Sequence, residues 1–445
     1  MDDTQWLLVA LAIIILWTVM VYILHKKGIL AKLNVVPVGP ILMWKTGRGR
    51  KFLDRLARPA RFWRAYGDFS IVLCLVAMFA LMGLLIWEAT LVPSIPRENA
   101  PTPDLILGVP GLNRVIPLGY GILGLAIAIV LHEFLHGILA RTAKVSIKSL
   151  GILLFVFPIG AFVEPDEEEL QKMKRRDRAR LFAAGPATNI VLALVFAIIF
   201  STAMMSSVRP AHDGVGITSF SKDGTPAENA GMHPGMIIFY VEGKNVTNAN
   251  VTTVSDLAIA LENTKPGDAI NVTAYYRGSV DIYRMTLTSD PQTEKGVMGV
   301  RLMTVSTAYF HPLGGSDFFG SPVRSIFSYV TLPFLGLQPL QEPITDFFVV
   351  EGVWGSVPGS VFWTLANCAY WLFWLNIMLG ATNALPAVPL DGGYIFKDGF
   401  SALLERVKKG IKPERRDRIV SAVSLTLALF ILALILFQFI GPYVL

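Results

Sequence analysis

Charge is scarce in this sequence. Of its 445 residues only 16% are Asp, Glu, Lys or Arg, against about a quarter in an ordinary soluble domain. Cysteine is scarcer still: Cys74 and Cys368 are the only two. Both fall inside apolar runs, so they read as packing residues and no disulfide framework is implied. Histidine occurs six times, at His25, His132, His136, His212, His233 and His311. Only two of these lie at membrane depth, which excludes the clustered-histidine di-iron chemistry of membrane oxygenases and desaturases. No internal repeat relates the two halves of the chain, which argues against a repeat-built transporter.

What is abundant is apolar sequence, 53% of the chain. Runs long enough to cross a bilayer, roughly 20 residues, occupy 5–24, 71–93, 119–140, 181–205, 361–385 and 419–440. They predict an α-helical polytopic membrane protein of about six transmembrane helices. No small-residue cleavage site follows the first run, so it is expected to be a retained anchor.

The few charges are distributed asymmetrically. Between Lys26 and Arg64 there are 11 Lys and Arg against one acid, Asp54. Lys172, Lys174, Arg175, Arg176, Arg178 and Arg180 crowd 164–180, and seven more basic residues occupy 406–418. The loop 94–118 carries only Arg97 and Arg114. The positive-inside rule then places both termini outside and the basic segments in the cytoplasm. The net charge of +6 is therefore a topology signal, and no nucleic-acid partner is implied.

From about 209 to 305 the chain turns polar and Gly/Asn/Thr-rich, with strand-like runs AINVTAYY and YRMTLTS. The stretch GVGITSFSKDGTPAENAGMHPGMIIFYVEGKNV resembles a PDZ domain of the kind found in bacterial proteases. Gly214 to Phe220 would be its first strand, followed by Pro226-Ala227 and Ala230-Gly231. After Gly235, Ile237 to Val241 would form the next strand, before a Glu242-Gly243 turn. Met236 departs from the acidic residue usual after that glycine. A PDZ domain implies peptide C-termini or extended segments as partners, added as a strand at a sheet edge; a purely steric filter is the alternative. The insert is expected outside, and its N-x-T triplets at Asn245, Asn250 and Asn271 lend that placement slight support. The segment 306–355, with the short apolar stretch SIFSYVTLPFLGL interrupted by Pro333 and Gly336, is expected to be interfacial or re-entrant.

The chemistry concentrates in IVLHEFLHGILA, residues 129–140. His132 and His136 are four apart and share a helix face, so both can reach one metal ion. Glu133 stands beside them, where a general base for a metal-activated water belongs. Each such group at membrane depth costs about 2–3 kcal/mol and generally marks function. A catalytic zinc needs a third protein ligand. Asp391, in NALPAVPLDGGYIF (383–396), is the best candidate, because Pro386, Pro389 and Gly392-Gly393 break the helix there. Broken backbone at that depth lines protein or a wet cavity; an ordinary helix-end acid is the alternative.

HEFLHG, NALPAVPLDGG, AAGPATN (183–189) and LGILLFVFPIGAFVEP (150–165), in that arrangement around a PDZ-like insert, resemble the site-2 protease family of intramembrane zinc metalloproteases (peptidase M50 type). The resemblance covers roughly 119–205 and 361–400. It implies one Zn2+ per chain held by His132, His136 and Asp391, with Glu133 as the catalytic base. It also implies a re-entrant β-hairpin at 150–165 whose edge, including Gly160 and Phe162, meets the substrate. Asn189 and Asn383 would hydrogen-bond substrate or orient the site; helix packing is the other reading of both. Gly137 would let a neighbouring backbone come close, and Gly185-Pro186 would shape the start of its span. Membrane-anchored proteins are the implied substrates, cut in or near their transmembrane segments, with the active site towards the cytoplasm. A catalytically silent relative acting as a binding or chaperone protein is the alternative function. The expected organisation is N-terminal helices with a basic cytoplasmic loop (1–118), catalytic helices and hairpin (119–208), the PDZ-like domain (209–305), an interfacial segment (306–360) and C-terminal helices (361–445).

Overall fold

The computed structural model describes residues 3–97, 100–102, 105, 108–111, 113–247, 249–289, 295–311 and 329–444. In chain order the elements used below are α1 (Asp3–Lys26), β1 (Val35–Val38), β2 (Ile41–Thr46), α2 (Ala60–Leu91), α3 (Leu118–Thr142), β3 (Ile147–Phe155), β4 (Phe157–Pro165) and α4 (Arg175–Ile198). They continue with β5 (Val215–Phe220), β6 (Ile237–Gly243), α5 (Val254–Ala260), β7 (Ala269–Tyr276), β8 (Ser279–Thr286), β9 (Val300–Thr304), α6 (Gly359–Ala384), α7 (Asp391–Val407) and α8 (Pro413–Val444). The chain divides into two compact units, one of residues 1–195 with 371–445 and one of residues 196–370.

Among the described residues, five helices are long and apolar enough to cross a membrane: Ala60–Ser94, Leu118–Thr142, Arg175–Ser207, Gly359–Ala384 and Pro413–Val444. Of the first helix, Ala12–Lys26 forms a shorter apolar segment, so the sixth expected span is not among the five. The helices outrun the apolar runs that signal them. α2 begins at Ala60, well before the uncharged stretch at 71, and its Asp68 is paired with Arg176 and Arg180 of α4. A paired charge continues a helix as well as an apolar residue does; hydropathy marks only its lipid-compatible part.

The first unit also holds a four-stranded antiparallel sheet in the order β1-β2-β3-β4. β3 and β4 are the hairpin expected at 150–165, with Gly151 opposite Phe162 and Ile152 opposite Ala161. Its other half is a surprise. The segment expected to be a basic loop folds as a second hairpin, β1-β2, and β2 pairs with β3 from Leu42↔Leu154 to Thr46↔Leu150. Burial alternates along VVPV, with Val35 and Pro37 half-buried and Val36 and Val38 exposed, and Leu42 of β2 is buried against Val21 and Leu30. β4 is left as a sheet edge beside α3.

Helix α7 is set by charge. Asp391, Asp398 and Glu405 recur every seven residues, two helical turns, and therefore lie along one face. Asp398 pairs with Arg178, and Glu405 with Arg175 of α4 at 2.6 Å. Arg416 at the start of α8 also binds Glu405. All four arginines clustered at 175–180 are thus clamps between helices.

The second unit carries a sheet in the order β8-β7-β6-β5-β9, with the short strand Ala249–Asn250 added to β6. Its strands fall where the alternating runs predict. Val215, Ile217, Ile238, Val241, Val272 and Leu257 pack a common core. Met236, where an acid is usual, is buried in that core, which explains why an apolar side chain suits it. Thr253 and Asp256 form a reciprocal capping box that starts α5 beside β9. The Nδ2 groups of Asn245 and Asn271 donate to Asp268 and Glu242. Part of the expected interfacial segment, 312–328, lies outside the described residues; beyond it, Phe348–Val350 pairs with Val208–Pro210.

The Arg175 and Arg416 guanidiniums hold the Glu405 carboxyl down to about 2, below an ordinary glutamate near 4.3. A depressed folded pKa stabilises above the unfolded value, and that stabilisation is lost as pH falls through the folded one. Glu405→Gln should therefore lower the thermal midpoint of the detergent-solubilised protein at neutral pH. The gap to wild type should close as pH falls from about 4 to about 2. A pH-independent gap would show that the pair is not the cause.

Candidate metal centre

His132 and His136 stand one turn apart on the buried face of α3, 6% and 7% exposed. Asp391, the first residue of α7, reaches them from the other side. The three donor atoms converge: His132 Nε2 to His136 Nε2 is 3.1 Å, and Asp391 Oδ2 is 3.0 Å from the first and 3.2 Å from the second. Among the described residues this is the one His/Cys/Asp/Glu group able to hold a metal ion.

The tautomer follows from the surroundings. His136 Nδ1 donates to the Leu181 carbonyl of α4 at 2.8 Å, which leaves its Nε2 lone pair facing His132 and the Asp391 carboxylate. Two imidazole nitrogens and a carboxylate oxygen converging on one point suit a cation between them. Ligands of a tetrahedral zinc at 2.0–2.1 Å lie roughly 3.3 Å apart, close to the separations found. A further observation fits. A Cβ added at Gly185 of α4 would lie 2.5 Å from His136 Nε2 and 2.6 Å from His132 Nε2. The glycine keeps clear the space the nitrogens face. The residues present therefore suit a zinc ion.

Glu133 points to the sheet. The Val163 backbone N–H of β4 donates to its Oε2 at 3.2 Å, so the carboxylate is anchored to the edge strand beside the histidines. Gly137 lets α3 approach that strand: its Cβ would be 3.2 Å from both Leu53 and Val163 side chains.

The other expected residues are placed differently from one another. Asn189 is fully buried beside Gly380 of α6, and neither its Oδ1 nor its Nδ2 has a partner. Asn383 donates to Leu379 O of its own helix at 3.1 Å. Gly160, with Ala161, borders an apolar cavity of about 450 Å³ between β4 and α3, walled further by Ala126, Ile129 and Ile152. Phe162 turns its ring the other way, over Gly151 of β3.

Sequence reasoning missed three contributors: the Leu181 carbonyl, the Val163 N–H and the contact of Gly185 with the imidazoles. Backbone groups carry no residue signature, so the first two could not be read. Gly185 lies in AAGPATN, where the resemblance implies only that it shapes the start of its span.

Comparison with known proteins bears on this geometry. The profile of Peptidase family M50 matches residues 120–431, more than half the chain and all of the converging residues. The chain belongs to peptidase family M50. An uncharacterized protein of Methanocaldococcus jannaschii is 24% identical over 433 residues, covering 96% of this chain and 92% of its own length. A Clostridium acetobutylicum protein provisionally named a zinc metalloprotease is 21% identical over 303 residues, 62% of this chain and 84% of that one. The crystal structure of a PDZ domain from an SdrC-like protein of Listeria monocytogenes aligns with 23% of this chain and 98% of its own, at 19% identity and a TM-score of 0.18.

If Gly185 keeps the metal position open, Gly185→Ala should cost most of the bound zinc, as should His136→Ala. Metal analysis of the purified protein would show about one zinc per chain in wild type only. A fully loaded Gly185→Ala protein would refute the assignment of that space.

Proposed function

We propose that this M50 member is an intramembrane zinc metalloendopeptidase, cutting membrane-anchored proteins in or near their transmembrane segments. The observation that carries the reading is the His132–His136–Asp391 triad, both histidines buried, with the Glu133 carboxylate held beside the histidines on their helix. Family membership supports it independently.

His132, His136 and Asp391 would hold the zinc. When bound, zinc polarises the scissile carbonyl and lowers the pKa of water towards 7. Glu133 takes a proton from the attacking water and delivers it to the leaving amine nitrogen. Its hydrogen bond from Val163 keeps the carboxylate aimed between helix and edge strand while it does so. Asn189, buried and unpartnered, would orient the site or meet substrate backbone; Asn383, bonded within its helix, better suits packing.

A helical substrate hides its carbonyls in its own hydrogen bonds, so it must unwind before cleavage. β4 supplies replacement partners as an unpaired edge, and the apolar cavity beside Gly160 and Ala161 would take a substrate side chain. Its walls Ile129 and Val130 lie one turn before the histidines, which puts an occupant close to the triad. In this reading the hairpin is re-entrant, α1 is a sixth span, and the basic segments face the cytoplasm with the insert and both termini outside. The insert would bind an extended peptide along the free edge of β9 or screen substrates by size. The first option is supported by α5 lying alongside that edge, where Val254 N–H donates to Thr304 Oγ1 at 3.2 Å.

Cleavage of single-span reporter substrates should fall by about 10²–10⁴ in Glu133→Gln with zinc content unchanged. Equal cleavage by variant and wild type would sink the mechanism. Ala161→Trp, which fills the apolar cavity, should weaken cleavage of substrates with bulky apolar side chains while leaving zinc in place. An unaltered substrate profile would remove the cavity from the substrate path.

A further inference from the structure

A second cavity, of about 910 Å³, opens where β2 runs into the turn that follows it, beside the start of β3. Lys45, Arg48, Arg50, Lys51 and Lys148 line it together with Ser149. Lys45 is paired with Glu164 and Lys148 with Asp166. Arg48, Arg50 and Lys51 have no carboxylate partner among the described residues. Orientation of a membrane protein requires only a surplus of basic residues on one side; it does not require them to converge on one cavity.

The backbone is shaped to bring them there. The sequence KTGRGRK turns through Gly49 at a φ of +98°, and Arg48 N–H donates to Thr46 Oγ1 at 3.1 Å. A Cβ at Gly47 would lie 2.5 Å from an Arg50 guanidinium nitrogen, so that guanidinium folds across bare backbone at the cavity wall. Unpaired guanidiniums present forks that match phosphate oxygens. The ligand chemistry is therefore a phosphate group.

The surroundings indicate its source. At the far end of the β1-β2 hairpin, Trp17 Nε1 of α1 donates to Pro40 O at 2.7 Å. Trp17 lies nine residues before Lys26, the end of that helix, or roughly 13 Å along it. The hairpin thus runs beside the apolar helix, and its cavity end returns to the helix's basic end. On the way it exposes Val36, Val38 and Trp44 (44%, 54% and 52%), side chains suited to lipid and to the interface. We propose that this cavity binds a phosphate carried by an anionic phospholipid headgroup. The proposal rests on the membrane placement of the hairpin and is independent of the proteolytic reading.

The test uses the full chain in neutral detergent, delipidated and then offered phosphatidylglycerol or phosphatidylcholine, with bound lipid counted by native mass spectrometry. Phosphatidylglycerol should be retained by wild type, and its affinity should fall at least tenfold in the triple variant Arg48→Gln, Arg50→Gln, Lys51→Gln. The double variant Lys408→Gln, Lys409→Gln, exposed basic residues elsewhere, should retain it. Equal losses in both variants, or no preference over phosphatidylcholine, would overturn the proposal. So would saturable protection by inorganic phosphate that matches the lipid's, which would mark a soluble-anion site. Should the triple variant misfold, wild type alone decides: photoactivatable phosphatidylglycerol should label the peptide containing Trp44 to Lys51, and labelling confined to other segments refutes the site.

Discussion

The proteolytic reading depends on three electron-rich side-chain atoms being held within about the span of one metal ion's ligand shell inside an apolar environment. Such an arrangement opposes itself. Lone pairs on two imidazoles and a carboxylate repel when no cation lies between them, and no bulk water screens them. The scaffold must therefore hold them together from outside. α3 contributes by helical spacing alone, and the Leu181 carbonyl fixes one ring. Asp391 comes from 255 residues beyond His136 and needs separate restraint. It receives this from its own helix, whose two further acids, spaced by seven, are pinned by Arg178 and Arg175.

The pinning also explains where flexibility is forbidden. A Cβ at Gly392 would lie 2.1 Å from the Ala384 carbonyl, so the chain between α6 and α7 folds tightly back on itself before delivering Asp391. Phe182 and Tyr394 stack at 4.5 Å, packing α4 against the first turn of α7. Short loop, stacked rings and paired charges act on one helix end. They locate a carboxylate that the local sequence would leave in a loop.

The histidine pair and Glu133 were legible because a helix translates a four-residue spacing directly into a shared face. Asp391 was legible less directly, through the helix breakers around it and through family resemblance. The strands of the polar insert could be read from alternation, and Met236 could not be understood until its burial was seen. The β1-β2 hairpin was hidden because its positive charge dominated the reading of 26–64. Its alternation covers only a few residues, and pairing with β3 bridges more than a hundred positions of chain. The acidic face of α7 was hidden for a different reason: spacing shows that three acids share a face, but which arginines oppose them is tertiary information.

The link between Glu133 and Val163 joins α3 to the strand proposed to receive substrate. An edge N–H is a scarce resource at membrane depth, where water cannot replace a lost partner. Here one such N–H is satisfied by the carboxylate proposed as the base. An extended substrate pairing along β4 would bring its own carbonyls to the neighbouring edge groups while Val163 remains committed to Glu133. The strand addition would then end at the point where the chemistry begins. The register of the bound segment, and with it the bond presented to the metal, would be set by the residue at which β4 stops offering hydrogen bonds to substrate and starts holding the base.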